Sequence, residues 1–161
     1  MSGFSDAAVS PILLLFGGGA IVGNLLGGRF ADRWPTGSVL GTLLLLAIVL
    51  GLVAVTAHNQ IAVIIAVALL GAAAFATAAP LQMAVLRQAS GAGQSLASSF
   101  NIAAFNLGNA IGAWLGGAVI AQVGLGAVPW IAALAPLAAV VVVLGAQRLG
   151  RAQASVPVAA E

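Results

Sequence analysis

The chain has 161 residues, 62% of them hydrophobic and 5% charged, with a mean hydropathy of +1.18. Soluble domains carry about 25% charged residues, so this chain lacks the polar surface to cover itself in water and is read as a membrane protein. Its pI near 11.4 comes from five arginines against three acids, set singly and without the basic patch that nucleic acid requires; the lack of cysteine excludes disulfides, thiol catalysis and zinc-thiolate sites.

Five apolar segments are expected, each long enough for the roughly 20 residues that cross a bilayer. The first spans about 8–28, with Pro11 near its start, where a missing N–H costs little. A charged stretch, Gly28-Arg29-Phe30-Ala31-Asp32-Arg33, and a Trp34-Pro35 turn lead to the second, at 37–55. A short polar link holding His58 precedes the third, at 61–86. Pro80 lies inside it, lacks an N–H and clashes with the Ala76 carbonyl, which predicts a kink over 76–80. The fourth covers 95–120, Gly124-Leu125-Gly126 breaks the pattern, and the fifth runs over 129–146. No charged residue occurs from Pro35 to Leu86 or from Gln88 to Gln147.

The bilayer interior admits only helices or closed barrels, and unbroken apolar runs lack the alternation of a barrel strand. The expected fold class is therefore an all-α polytopic membrane protein with five transmembrane helices. The bundle is assigned to residues 1–147 and a disordered cytoplasmic tail to 148–161, a polar stretch carrying Pro157.

Arg29 and Arg33 follow the first segment, Arg87 the third, and Arg148 and Arg151 the fifth, so all five arginines share one side. The positive-inside rule makes that side cytoplasmic, which places the N-terminus outside and the C-terminus inside. No basic run marks a cleavable signal peptide at the start. Arginine in place of lysine, with much alanine and glycine, fits a high-GC bacterial coding sequence and hence an inner (cell) membrane. An outside N-terminus ahead of five helices leads us to expect that at least one further helix precedes the chain.

The stretch Gly28-Arg29-Phe30-Ala31-Asp32-Arg33 between two membrane segments resembles the loop signature of the major facilitator superfamily. Its continuation, Trp34-Pro35-Thr36-Gly37, is similar to the weaker copy found in the second half of that family. Three segments later, Ser98-Ser99-Phe100-Asn101 through Asn109, followed by Gly112-Ala113-Trp114-Leu115-Gly116-Gly117, resembles the eleventh helix of bacterial drug- and sugar-efflux facilitators of the arabinose-efflux-permease-like group. The resemblance implies helices eight to twelve of a twelve-helix transporter, a partial C-terminal bundle. It further implies alternating-access efflux of a drug or sugar with proton antiport, and partnership with a missing N-terminal half.

Gly19, Gly23 and Gly27 stack on one face of the first helix, and Gly108, Gly112 and Gly116 on one face of the fourth. Small residues at this spacing let backbones approach closely in lipid. Tight packing within the chain is one reading; sliding surfaces against the other half, which the resemblance implies, is the other. Asn24, Asn101, Asn106 and Asn109 need hydrogen-bond partners once buried. Interhelical bonding is favoured for Asn24, whereas Asn101 and Asn106 are equally well placed beside a solute cavity. The resemblance implies that the third segment is helix ten, which lines the central cavity, so Phe75, Thr77 and Gln82 around its kink complete the candidate cavity set, against the alternative of a purely structural kink with lipid-facing neighbours. Asp32 with Gly28, Arg29 and Arg33 is either a solvated loop with a weak ion pair or, by the resemblance, a conformational latch in which Asp32 caps a helix N-terminus and pairs with an arginine.

His58 is read as solvated, and no metal site is expected. No cofactor is called for, and no catalytic constellation supports an enzyme. No carboxylate lies within a membrane segment, so a proton relay of the usual acidic kind must sit on absent helices. The partners expected are the lipid bilayer, a small organic solute, protons through those absent helices, and no nucleic acid. The alternative is a small membrane protein that transports nothing and acts as a structural or assembly partner.

Overall fold

The computed structural model describes residues 6–89 and 93–154. After a 3-10 turn at Asp6–Ala8 come six helices: α1 (Val9–Arg33), α2 (Pro35–Thr56), α3 (Gln60–Ala76), α4 (Ala78–Gln88), α5 (Gly93–Gln122) and α6 (Val128–Ala154). Helices α3 and α4 form one span, Gln60–Gln88, so five helical spans are long and apolar enough to cross a membrane. No strand occurs among the described residues. The all-α, five-span architecture is as the sequence predicts.

Local chemistry sets the boundaries. Pro11 sits in the first turn of α1, where its missing N–H would have had no helical acceptor. Trp34, ahead of a proline, is extended (φ −135°, ψ 73°) and alone separates α1 from α2, with Pro35 at the first position of α2. Asn59 caps α3, its side chain accepting from the Ala62 N–H at 3.1 Å. Gly124, with φ +103°, ends α5 by donating to the Val119 carbonyl at 3.0 Å, a left-handed stop that glycine adopts without strain.

The expected kink over 76–80 is a break at Thr77. Its N–H reaches the Ala74 carbonyl at 3.4 Å and its hydroxyl donates to the same oxygen at 2.6 Å, so the turn tightens there. Pro80, fully buried in the first turn of α4, leaves the Ala76 carbonyl without its usual donor.

Two boundaries differ from expectation. The charged stretch Gly28–Arg33 is not a loop: α1 continues through it, and the turn is Trp34 alone. Residues 148–154, assigned to a disordered tail, are instead helical, since α6 runs on to Ala154. In both places the polar residues continue an established helix, whose next backbone bond costs far less than the first. Residues 155–161 lie outside the described residues.

The core is made of small side chains. Ala31, Ala47, Ala66, Ala73, Ala76 and Ala133 are buried with Val39, Leu43 and Val49, while Leu14, Ile48, Phe100, Trp114 and Val141 stand exposed. That inversion of a water-soluble fold fits a bundle whose large apolar groups meet lipid and whose backbones meet each other. The most extensive packing is α1 against α3; α2 packs on α3 and α6. Helix α5 has no buried residue and touches α4 and α6 only lightly.

Candidate functional site

Depressions among the described residues differ in their chemistry. A groove of about 430 Å³ lies between α1 and α2 over α3, lined by Leu26, Phe30, Trp34, Leu45 and Ala72. Its hydroxyls are already spent: Ser38 donates to Pro35 O at 3.1 Å and Thr42 to Ser38 O at 2.8 Å. With Phe30 and Trp34 stacked at 6.2 Å along it, this groove is mainly an apolar surface. A second depression, of about 770 Å³, opens at the arginine end between α2, α4 and α6, bordered by Thr36, Arg87, Gln88 and Gln147.

The third joins polar side chains from three helices. It is an open cavity of about 360 Å³, lined by Asn24 from α1, Leu81 and Gln82 from α4, and Asn101, Ile102 and Phe105 from α5. Gln82 Nε2 donates to Ser98 Oγ at 2.8 Å, and Asn101 Nδ2 donates to Gln82 Oε1. Gln82 and Asn101 are half-buried. The lining holds no charged group, so the site can offer carboxamide hydrogen bonds beside an aromatic ring.

Of the five cavity residues expected from sequence, Gln82 and Asn101 meet here. The other three do not line the cavity. Phe75 packs edge-on against Phe16 of α1, centroids 6.3 Å apart at 77°. Thr77 is buried with its hydroxyl turned back to Ala74. Asn106 is exposed on α5, about 140° around the helix from Asn101 at the ordinary pitch. Ser98, Ile102 and Phe105 were missed, although the spacing 98-101-102-105 is one helical face and singles them out. Asn24, expected as an interhelical bonding group, stands on the wall of this depression.

The two glycine faces fare differently. At Gly19, Gly23 and Gly27 an added Cβ would collide with the α3 backbone at Ala68, Ala72 and Ala76, lying 2.7 Å from the Ala72 Cα for Gly23 and 2.9 Å from the Ala76 Cα for Gly27. Gly71 of α3 meets the Phe16 backbone in return. That face is therefore occupied within the chain and is not left free to slide against another half. At Gly108, Gly112 and Gly116 an added Cβ would meet nothing within 4 Å.

Arg29, Asp32 and Arg33 are exposed in the last turns of α1. No side chain caps the start of α2, so Asp32 caps no helix N-terminus among the described residues. Gly28 beside them faces open space. Among the described residues, no group of three or more histidine or acidic side chains is placed to hold a metal ion.

Five apolar spans and a core built on alanine and buried glycine define a polytopic helical membrane protein. The family described as Major Facilitator Superfamily matches residues 2–160, and the chain belongs to it. The chain is 46% identical over 142 residues to the inner membrane transport protein YdhP of Escherichia coli K12, covering 87% of this chain and 36% of that protein. It is 35% identical over 144 residues to the uncharacterized MFS-type transporter YtbD of Bacillus subtilis, covering 88% and 36%. It is 36% identical over 113 residues to a chloramphenicol resistance protein of Streptomyces lividans, covering 69% and 28%. The chain thus spans about a third of the length of these relatives. No solved structure matches it.

Proposed function

We propose that the chain forms helices eight to twelve of a twelve-helix facilitator that expels a small organic solute, drug- or sugar-like, across a bacterial inner membrane by alternating access. The carrying observation is the cavity between α1, α4 and α5, where Asn24, Gln82 and Asn101 bring neutral hydrogen-bonding ends beside Phe105. Similarity to a chloramphenicol resistance protein supports a solute of that character, since chloramphenicol is uncharged and joins an aryl ring to an amide and hydroxyls. The only acids are Asp6, Asp32 and Glu161, so proton antiport on this reading uses a carboxylate on helices this chain does not contain. The arginine-bearing side is cytoplasmic on the same reading.

The bare Gly108–Gly112–Gly116 face of α5 remains as the surface against which the other half slides. Asp32, with Arg29 and Arg33 exposed beside it, serves as a latch toward that half, and Asp32→Asn slows transport without reducing membrane insertion. The alternative of a non-transporting assembly partner would use the same bare face, and an in-frame upstream extension encoding further apolar segments decides against it.

The test is efflux by the full-length protein containing this segment, in bacteria lacking their own drug pumps, with chloramphenicol as probe. Gln82→Leu and Asn101→Leu should raise accumulated probe while the protein reaches the membrane in normal amount. Accumulation equal to that of the unaltered protein overturns the cavity's role.

A further inference from the structure

Helix α5 is the least anchored element of the bundle: none of its residues is buried, and its contacts to α4 and α6 are slight. Among the described residues, the side-chain hydrogen bonds that tie it to another helix both involve one residue, Gln82 of α4. Gln82 gives its amide N–H to Ser98 and accepts from Asn101. Ser99, the neighbouring hydroxyl, bonds only to the carbonyl of Ser95 in its own helix, at 3.1 Å. Gln82 in turn stands just past the Thr77 break, on a helix whose continuity with α3 is already interrupted. These bonds form one edge of the 360 Å³ cavity, with Asn24 opposite on α1.

We propose that Gln82, Ser98 and Asn101 are a hydrogen-bond clasp which an uncharged solute opens by substituting its own amide or hydroxyl for the bonds between α4 and α5, so that filling the cavity unties α5. The proposal rests on reading this cavity as part of a solute site, and it names the solute class and the movement that follows. The physical basis is exchange: a neutral donor–acceptor pair on the solute replaces neutral pairs of similar strength, so opening costs little beyond what the new bonds return. An ionic solute gains no such exchange. The lining offers it no counter-charge, and an ion taken from water into neutral surroundings carries a desolvation cost that these dipoles do not offset. The clasp therefore selects a molecule with an adjacent donor and acceptor on an apolar or aromatic body that meets Phe105, Ile102 and Leu81.

The lack of native cysteine allows a direct test. Spin labels are placed on cysteines substituted for the exposed Leu69 of α3 and Leu107 of α5, in the full 161-residue chain in lipid nanodiscs. The distance distribution is measured with four phenyl probes: acetanilide, phenyl β-glucoside, tetraphenylphosphonium and benzoate. Binding is followed separately by equilibrium dialysis, and helicity by circular dichroism. The two neutral probes should bind and produce a second, longer distance population that grows with the bound fraction. The two ions should bind roughly tenfold more weakly or worse and leave the distribution unchanged. Gln82→Leu should show the longer population with no probe present, and the milder Ser98→Ala an intermediate one.

Neutral probes that bind without altering the distribution, or a helical Gln82→Leu chain that keeps the short distance, overturn the clasp and leave the solute-site reading standing. Preferred binding of either ion overturns the solute class. Failure of all four probes to bind a fully helical chain overturns the clasp, while the solute-site reading is decided separately by the efflux of the Gln82→Leu and Asn101→Leu variants.

Discussion

Helices α1 and α5 carry the same pattern and meet opposite fates. In α1, Gly23-Asn24-Leu25-Leu26-Gly27 sits in a run of glycines at every fourth position; in α5, Gly108-Asn109-Ala110-Ile111-Gly112 does the same. On α1 the glycines Gly23 and Gly27 are buried with the alanine backbone of α3 pressed against them; on α5, Gly108 and Gly112 are exposed and face open space. The spacing encodes a capacity for close approach, because a row without Cβ atoms lets two helix axes draw together and multiplies weak dispersion contacts. It does not name the partner. Here the partner of α1 lies inside the chain, as the row Ala68, Ala72, Ala76 at the matching interval, and α5 has no such row against it.

The largest break in this comparison should come from Gly23→Leu. Its Cβ would fall on the α3 backbone, which cannot swing aside as a flexible side-chain end can. Overpacking of a tight core costs typically about 1–3 kcal/mol, and a backbone collision belongs at the upper end. Unfolding of the chain in bicelles should report a loss of that order; a loss indistinguishable from zero would mean that the α1–α3 contact does not hold the bundle together. Gly71→Leu, which meets the Phe16 backbone from the other side, should cost a comparable amount.

A smaller effect distinguishes how α5 is held. If hydrogen bonds rather than packing tie it to α4, a double-mutant cycle of Gln82→Leu with Ser98→Ala should give a coupling near 0.6 kcal/mol, the average for such bonds in a membrane protein. No comparable polar coupling is expected across the α1–α3 seam, where apolar backbone contact does the holding. A coupling of zero would leave α5 attached only by its slight contacts with α4 and α6.

The contrast also shows where sequence was readable. Five spans followed from the lengths of uncharged runs, and the break at Thr77 from one proline, because each rests on a local rule that the bilayer enforces. The ends of helices were harder. Arg29, Asp32 and Arg33 read as loop by charge, yet α1 continues through them, since long polar side chains at the end of a span reach the interface without breaking the helix. The cavity was half legible. Gln82 and Asn101, expected from residue type, line the depression, and Phe105 shares the Asn101 face by helical phase whereas Asn106 does not. Phe75 and Thr77 sit beside the kink: the tertiary arrangement packs Phe75 on Phe16, whereas Thr77 bonds back to Ala74 within its own turn, as a threonine hydroxyl can in any helix.

The smallest expected effect on stability is the most discriminating. Gly112→Leu introduces a side chain where nothing lies within 4 Å, so in this chain alone it should change unfolding by no more than about 0.5 kcal/mol. It can even stabilise slightly, because leucine exceeds glycine in helix propensity by several tenths of a kcal/mol. In the twelve-helix transporter proposed above, the same leucine would occupy the space assigned to a helix of the other half, and efflux should fall while the amount inserted in the membrane holds. The pair Gly23→Leu and Gly112→Leu thus exchanges its readouts: the first lowers the stability of this chain, the second leaves it intact and stops the larger assembly. Loss of stability in this chain from Gly112→Leu would show that α5 is already packed on its glycine face. Unimpaired efflux would show that this face meets lipid, and the matching spacing on the two helices would then reflect backbone tolerance alone.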